Sequence, residues 1–124
     1  MEVTPIGTIT TPFGETADAP RQGERTDAVG TIHLETEYVP GLDGIEAGQD
    51  IIVVWFADEA DRSLLQVDRR GDVGVFRTRS PARPNPICLT TCEIVAVGET
   101  TLVVRGVDMR DGSPVLDLKP PLDS

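Results

Sequence analysis

One histidine, His33, and two cysteines, Cys88 and Cys92, are all that this chain of 124 residues offers to a soft metal or to imidazole chemistry. That argues against a zinc site and against a histidine-based catalytic triad. His33 also lies in the alternating run Thr31 to Glu35, where it faces solvent or a strand neighbour rather than a ligand. The two cysteines stand four apart in a strand-like run, which separates them by roughly 13 Å, beyond disulfide reach, so they read as reduced core residues. Aromatic residues make up only 4%. The longest apolar run, Ile51 to Ala57, falls far short of the roughly 20 residues of a membrane helix, and no basic segment leads into an apolar one at the start. A soluble, cytoplasmic protein without a membrane or metal partner is the expectation. Long amphipathic helices, internal repeats and a glycine-rich strand-turn-helix are absent as well, the last arguing against a doubly wound nucleotide-binding fold.

Lysine is nearly missing too: Lys119 is the only one, beside ten arginines and 21 acidic residues, for a net charge of −10. So acidic a surface repels polyanions at long range. The positive charge is nevertheless focused, because Arg69, Arg70, Arg77, Arg79 and Arg83 crowd a stretch whose single acid is Asp72. High cytosolic salt, with a Debye length of about 3 Å at 1 M, would leave contact geometry to decide. Abundant Asp and Glu with almost no Lys therefore predicts an acidic, halophile-like protein.

Along the chain, the turn signals fall at near-even spacing. Val3 to Thr11 reads as a short edge strand interrupted by Pro5 and bounded by Pro12, and Gly14 to Asp27 as a polar loop. Gly41 to Gly48 reads as a single helical turn. Ile51 to Phe56 is apolar on both faces, as a covered central strand should be. A charged exit, Asp58 to Arg62, precedes a short strand over Leu64 to Val67 and another run over Val73 to Phe76. Ile87 to Val97 and Thr101 to Val107 form a hairpin about Gly98-Glu99-Thr100, and Pro114 to Leu118 is the last strand after the turn Asp111-Gly112. The pattern predicts an all-β fold, a compact single-domain β-barrel or sandwich of about six to eight short strands over residues 1–124.

The chemistry concentrates in Gly74 to Glu93. Arg77, Arg79 and Arg83 sit beside Pro81, Pro84 and Pro86, so planar, always-charged donors are mounted on backbone with φ locked nearby. Surface arginines that only neutralise acids would not need those prolines, whereas preorganised binding of phosphate or carboxylate would. Asn85 adds an amide that both donates and accepts, suited to a base edge.

The string Gly-Val-Phe-x-Thr-Arg-Ser-Pro-x-Arg-Pro-Asn-Pro-Ile, Gly74 to Ile87, resembles the signature of the TsaA-like family. Pro5-Ile6-Gly7-Thr8-Ile9, Pro20-Arg21-Gln22, Gly41 to Ile45 and Asp111 to Pro120 agree in order, so the resemblance covers nearly the whole chain. It implies a dimerising β-barrel that transfers a methyl group from S-adenosylmethionine to N6 of threonylcarbamoyladenosine beside the tRNA anticodon. By the same resemblance Pro20, Arg21, Gln22, Asp58, Glu59, Arg79, Leu89, Asp111, Gly112 and Ser113 would contact the donor. Arg77, Arg83 and Lys119 would lie on the substrate side, and Asn85 and Asp117 would serve the reaction, Asp117 as a base. The chain departs from the family at Asp58, where histidine is common, at Ala82, at Cys88 in place of glycine and at Pro121 in place of tyrosine, and no extra C-terminal domain is expected. A non-catalytic module that keeps the barrel and binds the donor or a nucleotide is the alternative.

Overall fold

A computed structural model describes residues 1–15, 19–20, 26–67 and 73–122. Six strands close into an antiparallel barrel: β1 (Gly7–Thr10), β2 (Val29–Leu34), β3 (Asp50–Phe56), β6 (Ile87–Val97), β7 (Thr101–Arg105) and β8 (Pro114–Lys119). Their order around the barrel is β1-β2-β7-β6-β3-β8, with β8 returning to β1. Strands β4 (Gln66–Val67) and β5 (Val73–Gly74) form a separate two-stranded arm. No helix among the described residues is long and apolar enough to cross a membrane.

Alternation decides which side chains fill the barrel. Along β6, Cys88, Thr90, Cys92 and Ile94 point inward while Ile87, Leu89, Thr91 and Glu93 point out. Ile51, Val53 and Trp55 do the same from β3, and Ile9, Ile32, Leu102, Val104 and Val115 complete the core together with Val107 and Met109 from the segment after β7. As the alternating pattern predicts, His33 faces outward, where its Nε2 lies 2.9 Å from Thr10 Oγ1. Cys88 and Cys92 are free and buried. Burial pushes their thiols up to about 11 and about 12, with the nearby Asp108 charge acting in the same direction.

Two expectations are corrected by the structure. The first strand is no edge, since β1 pairs with β2 on one side and β8 on the other. Its proline flanks lie outside the ladder, so they do not prevent pairing on both sides. The approach is close enough that a Cβ on Gly7 would run into the carbonyl of His33. The helical turn, expected over Gly41 to Gly48, lies earlier, as a 3-10 helix over Thr36–Leu42. Gly44 and Gly48, at φ +90 and +93, instead make the left-handed turns that lead into β3.

The arginine-proline loop leaves the arm through a 3-10 turn over Val75–Arg77 and re-enters the barrel at β6. Val75 is its anchor, wholly buried and bonded through its N–H to the carbonyl of Leu65.

Candidate functional site

At one end of the barrel, the end of β3, the turn before β8 and Pro81 of the arginine-proline loop enclose a cavity of about 100 Å³. Its apolar walls include Trp55, Ala57 and Pro81, and its polar groups come from Asp58, Glu59, Asp108, Arg110 and Ser113. Pro20 borders it, so four residues expected at the donor, Pro20, Asp58, Glu59 and Ser113, converge from distant parts of the chain. Arg110 spans the two rim carboxylates, with Nη2 3.0 Å from Asp58 Oδ1 and Nε 3.3 Å from Glu59 Oε2. The hydrogen bond to Asp58 holds the Arg110 guanidinium more firmly in its charged form.

The turn Asp111-Gly112-Ser113 is fastened to the barrel. Asp111 Oδ1 accepts from the Thr11 N–H at 3.0 Å, and the Gly112 N–H donates to the Ile9 carbonyl at 2.8 Å. Ser113 Oγ donates to the Arg110 carbonyl at 2.6 Å. Gly112, at φ +87, takes a conformation that L side chains rarely adopt. Asp111 thus holds the turn in place, and Ser113 is the member of it that reaches the cavity wall.

A buried chain of hydrogen bonds links two of the lining residues, Trp55 and Asp108. Trp55 Nε1–H donates to Thr90 Oγ1 at 3.0 Å, and the Thr90 hydroxyl donates to Asp108 Oδ1 at 2.6 Å. Thr90 and Asp108 are both buried, Asp108 to 4% exposure. The carboxylate also borders a second, larger cavity of about 510 Å³ on the outside of β6, lined by Arg79, Leu89, Thr91 and Arg105 among others. Among the described residues, Asp108 is the one that lines both cavities.

The expected donor contacts are therefore divided. Arg79 and Leu89 lie together at the second cavity, where Arg79 Nη2 donates to the Leu89 carbonyl at 3.2 Å. Arg21 and Gln22 lie outside the described residues, as do Arg69 and Arg70 of the arginine cluster. Arg83 works inside its own loop, donating from Nη1 to the carbonyls of Thr78 (3.0 Å) and Ser80 (3.1 Å) and from Nη2 to that of Val75 (3.1 Å). Arg77 is exposed at the end of the 3-10 turn. The Asn85 carbonyl Oδ1 accepts from Arg62 Nη2 at 3.3 Å, and the residue is exposed. Asp117 sits on the outer face of β8, taking the Leu118 N–H at 2.9 Å and Lys119 Nζ at 3.1 Å. Among the described residues no group of three or more His, Cys, Asp or Glu could hold a metal ion.

Sequence reasoning missed Trp55, Thr90, Asp108 and Arg110 as site residues. The one signal available was a charge at a core position, since Asp108 stands between Val107 and Met109, both fully buried.

Comparison with known proteins identifies the family of the chain. The family model described as the tRNA-methyltransferase O N-terminal domain matches residues 8–124. A Halobacterium salinarum protein named probable S-adenosyl-L-methionine-binding protein is 54% identical over 125 residues, covering 99% of this chain and all of its relative. An S-adenosyl-L-methionine-binding protein of Archaeoglobus fulgidus is 48% identical over 122 residues, 96% of this chain and 88% of its own length. Among solved structures, TrmO from Pseudomonas aeruginosa superposes with a TM-score of 0.79 at 33% identity, covering 98% of this chain. The present chain spans only 55% of that TrmO chain. With a barrel of the same fold and a matching sequence over nearly its whole length, the chain belongs to the tRNA-methyltransferase O N-terminal domain family, the TsaA-like family that its arginine-proline signature resembles.

Proposed function

We propose that the chain binds S-adenosylmethionine at the barrel end and transfers its methyl group to N6 of threonylcarbamoyladenosine in the tRNA anticodon loop. The observation that carries this reading is the convergence of Pro20, Asp58, Glu59 and Ser113 on one cavity with apolar walls and a few aimed polar groups. That chemistry fits an amphiphilic donor made of a nucleoside and an amino acid. At about 100 Å³ the cavity is smaller than the roughly 300–1,000 Å³ typical of small-molecule sites, so it fits part of the donor only. Arg79 and Leu89, across Asp108, would serve the remainder, from the same chain or from a second copy.

A homodimer is part of the proposal. On the outer face of the barrel Phe56 pairs with Ile87 and Val54 with Leu89, and Ile87 and Leu89 are 44% and 43% exposed. A second barrel covering that face would bring its own loop close to the donor cavity. Leu89→Asp is expected to convert a dimer to a monomer in sedimentation experiments. A wild-type monomer at micromolar concentration contradicts this part.

When bound, the donor supplies a methyl group on a sulfonium centre. The protein's share is positioning and exclusion of water. The exposed amide N–H groups of Asn85 would hold a carbonyl of the urea-like substrate. Arg77 would pair with its carboxylate or with loop phosphates, Lys119 and the remaining donors of Arg83 supporting it. Asp117, exposed and hydrogen-bonded at both oxygens, retains lone pairs to accept the N6 proton.

The test is incubation with methyl-labelled S-adenosylmethionine and total tRNA, prepared with and without the threonylcarbamoyl group. Label appearing only in modified tRNA is expected. Donor binding without transfer at every salt concentration would favour the non-catalytic module.

A further inference from the structure

Among the described residues three carboxylates line the barrel-end cavity, and they are not equivalent. Asp58 and Glu59 are 41% and 58% exposed and share the Arg110 guanidinium. Asp108 is buried, held by Thr90 and through it by Trp55, and lines both cavities. A fold does not bury a carboxylate cheaply: burial disfavours the charged form unless hydrogen bonds or a cation compensate. Thr90 and Trp55 form a support in which the Thr90 hydroxyl fixes Asp108 Oδ1 and the Trp55 N–H fixes Thr90.

The donor brings two cationic groups. Its α-ammonium is strongly hydrated and stands beside its own carboxylate, so that end is suited to the wet rim where Asp58, Glu59 and Arg110 already exchange charge. Its sulfonium has no N–H or O–H to offer water and is embedded between carbon chains, so it is the cation that an apolar cavity can take in. Resting on the donor-binding reading above, we infer that Asp108 is the counter-charge for the donor sulfonium, with Thr90 and Trp55 as the residues that position it. Lining both cavities, it sets the sulfonium where the Arg79 side can be reached by a methyl acceptor. Transfer turns the sulfonium into a neutral thioether, so the same carboxylate then loses its attraction for the product, which favours release.

The measurement is calorimetric affinity for S-adenosylmethionine and S-adenosylhomocysteine, which differ by the methyl group and the positive charge. Wild-type protein is expected to prefer the charged ligand by about tenfold or more, as a close charge pair in a partly desolvated site provides. Asp108→Asn, which keeps the shape and can still accept from Thr90, is expected to abolish that preference by weakening the charged ligand alone. Asp58→Asn, at the rim, is expected to weaken both ligands alike. Equal loss of both ligands in Asp108→Asn would place a shared part of the donor at Asp108 and overturn the inference while leaving the donor site standing. Wild-type protein that binds the neutral ligand as tightly as the charged one overturns it without recourse to any variant. Wild-type protein that binds neither removes the donor-binding reading, and this inference with it.

Discussion

The guanidinium of Arg83 donates to the carbonyl of Val75, eight residues earlier, at 3.1 Å, and the same side chain also reaches the carbonyls of Thr78 and Ser80. One planar fork thereby reaches three backbone acceptors, the Val75 carbonyl also accepting from the Thr78 N–H and hydroxyl, in a loop whose prolines offer no N–H. The signature loop is held by its own arginine.

Arg83→Ala is accordingly expected to lower stability by about 2 kcal/mol, since hydrogen bonds from a charged donor contribute more than neutral ones and these are only partly buried. Arg83→Lys should recover little, because a single ammonium cannot span three carbonyls in that geometry. Urea unfolding checks both. A wild-type midpoint for Arg83→Ala would show that the prolines and the Thr78 and Arg62 hydrogen bonds hold the loop without it.

Arg79 and Arg110 behave differently in this scheme. Arg79 is exposed, and Arg110 makes ion pairs at the rim, where exposed pairs contribute roughly 0–1 kcal/mol. Replacing either by Ala should leave the unfolding midpoint nearly unchanged while weakening S-adenosylmethionine binding about tenfold, the first by loss of a direct contact and the second by releasing Asp58 and Glu59 from their orientation. Unchanged affinity in either variant would sink the corresponding assignment.

Why the sequence disclosed some of this and not the rest follows from the range of the interactions. Strand β6 is legible end to end because its alternation of inward Cys88, Thr90, Cys92 and Ile94 is local. Barrel closure is not, because pairing of β1 with β8 joins residues such as Gly7 and Val115 that no local pattern connects. The helical turn expected over Gly41 to Gly48 falls earlier, over Thr36–Leu42, because two positive-φ glycines turn the chain in that window instead. In the site, the signature loop could be read as a string, but Asp108 gains its meaning from Thr90, eighteen residues away, and Trp55, farther still.

The closure of the barrel makes Gly7 a specific test. A Cβ at this position would meet the backbone of the neighbouring strand, which cannot swing aside as a flexible side chain would. Gly7→Ala should lower stability by about 1–3 kcal/mol, the usual range for overpacking. Gly14→Ala provides the contrast, since nothing lies within 4 Å of the added carbon, and it should be near neutral. Equal midpoints for the two variants would contradict the register between β1 and β2.

The buried thiols predict an alkaline limit. Cys88 and Cys92 are pushed from an ordinary value of 9.0 to about 11 and about 12, so between these values the unfolded chain loses thiol protons that the folded chain keeps. The folded state then binds more protons than the unfolded, and stability falls as pH rises. The loss should begin near pH 9 and continue toward pH 12, with no contribution from these groups below pH 8. Cys92→Val should show a shallower decline than wild type over that window when urea midpoints are compared at matched pH. Parallel curves would mean that the thiols reach water in the folded state.

Salt should act in the opposite sense to its usual effect on ion pairs. The described ion pairs, Arg105–Glu93, Arg110–Asp58, Arg110–Glu59 and Lys119–Asp117, are all at least partly exposed, and screening weakens each of them. Against this stands a net charge of −10 on a small domain, whose self-repulsion the same screening relieves, and which would keep an RNA phosphate backbone at a distance in dilute buffer. The many-body repulsion should outweigh four weak pairs, so molar KCl is expected to raise the urea midpoint. It should also permit tRNA association through the short-range arginine contacts, where an ordinary basic RNA binder would lose affinity with added salt. A midpoint that falls steadily from 0.1 to 2 M KCl would show that the local pairs dominate and that the acidic surface is not an adaptation to salt.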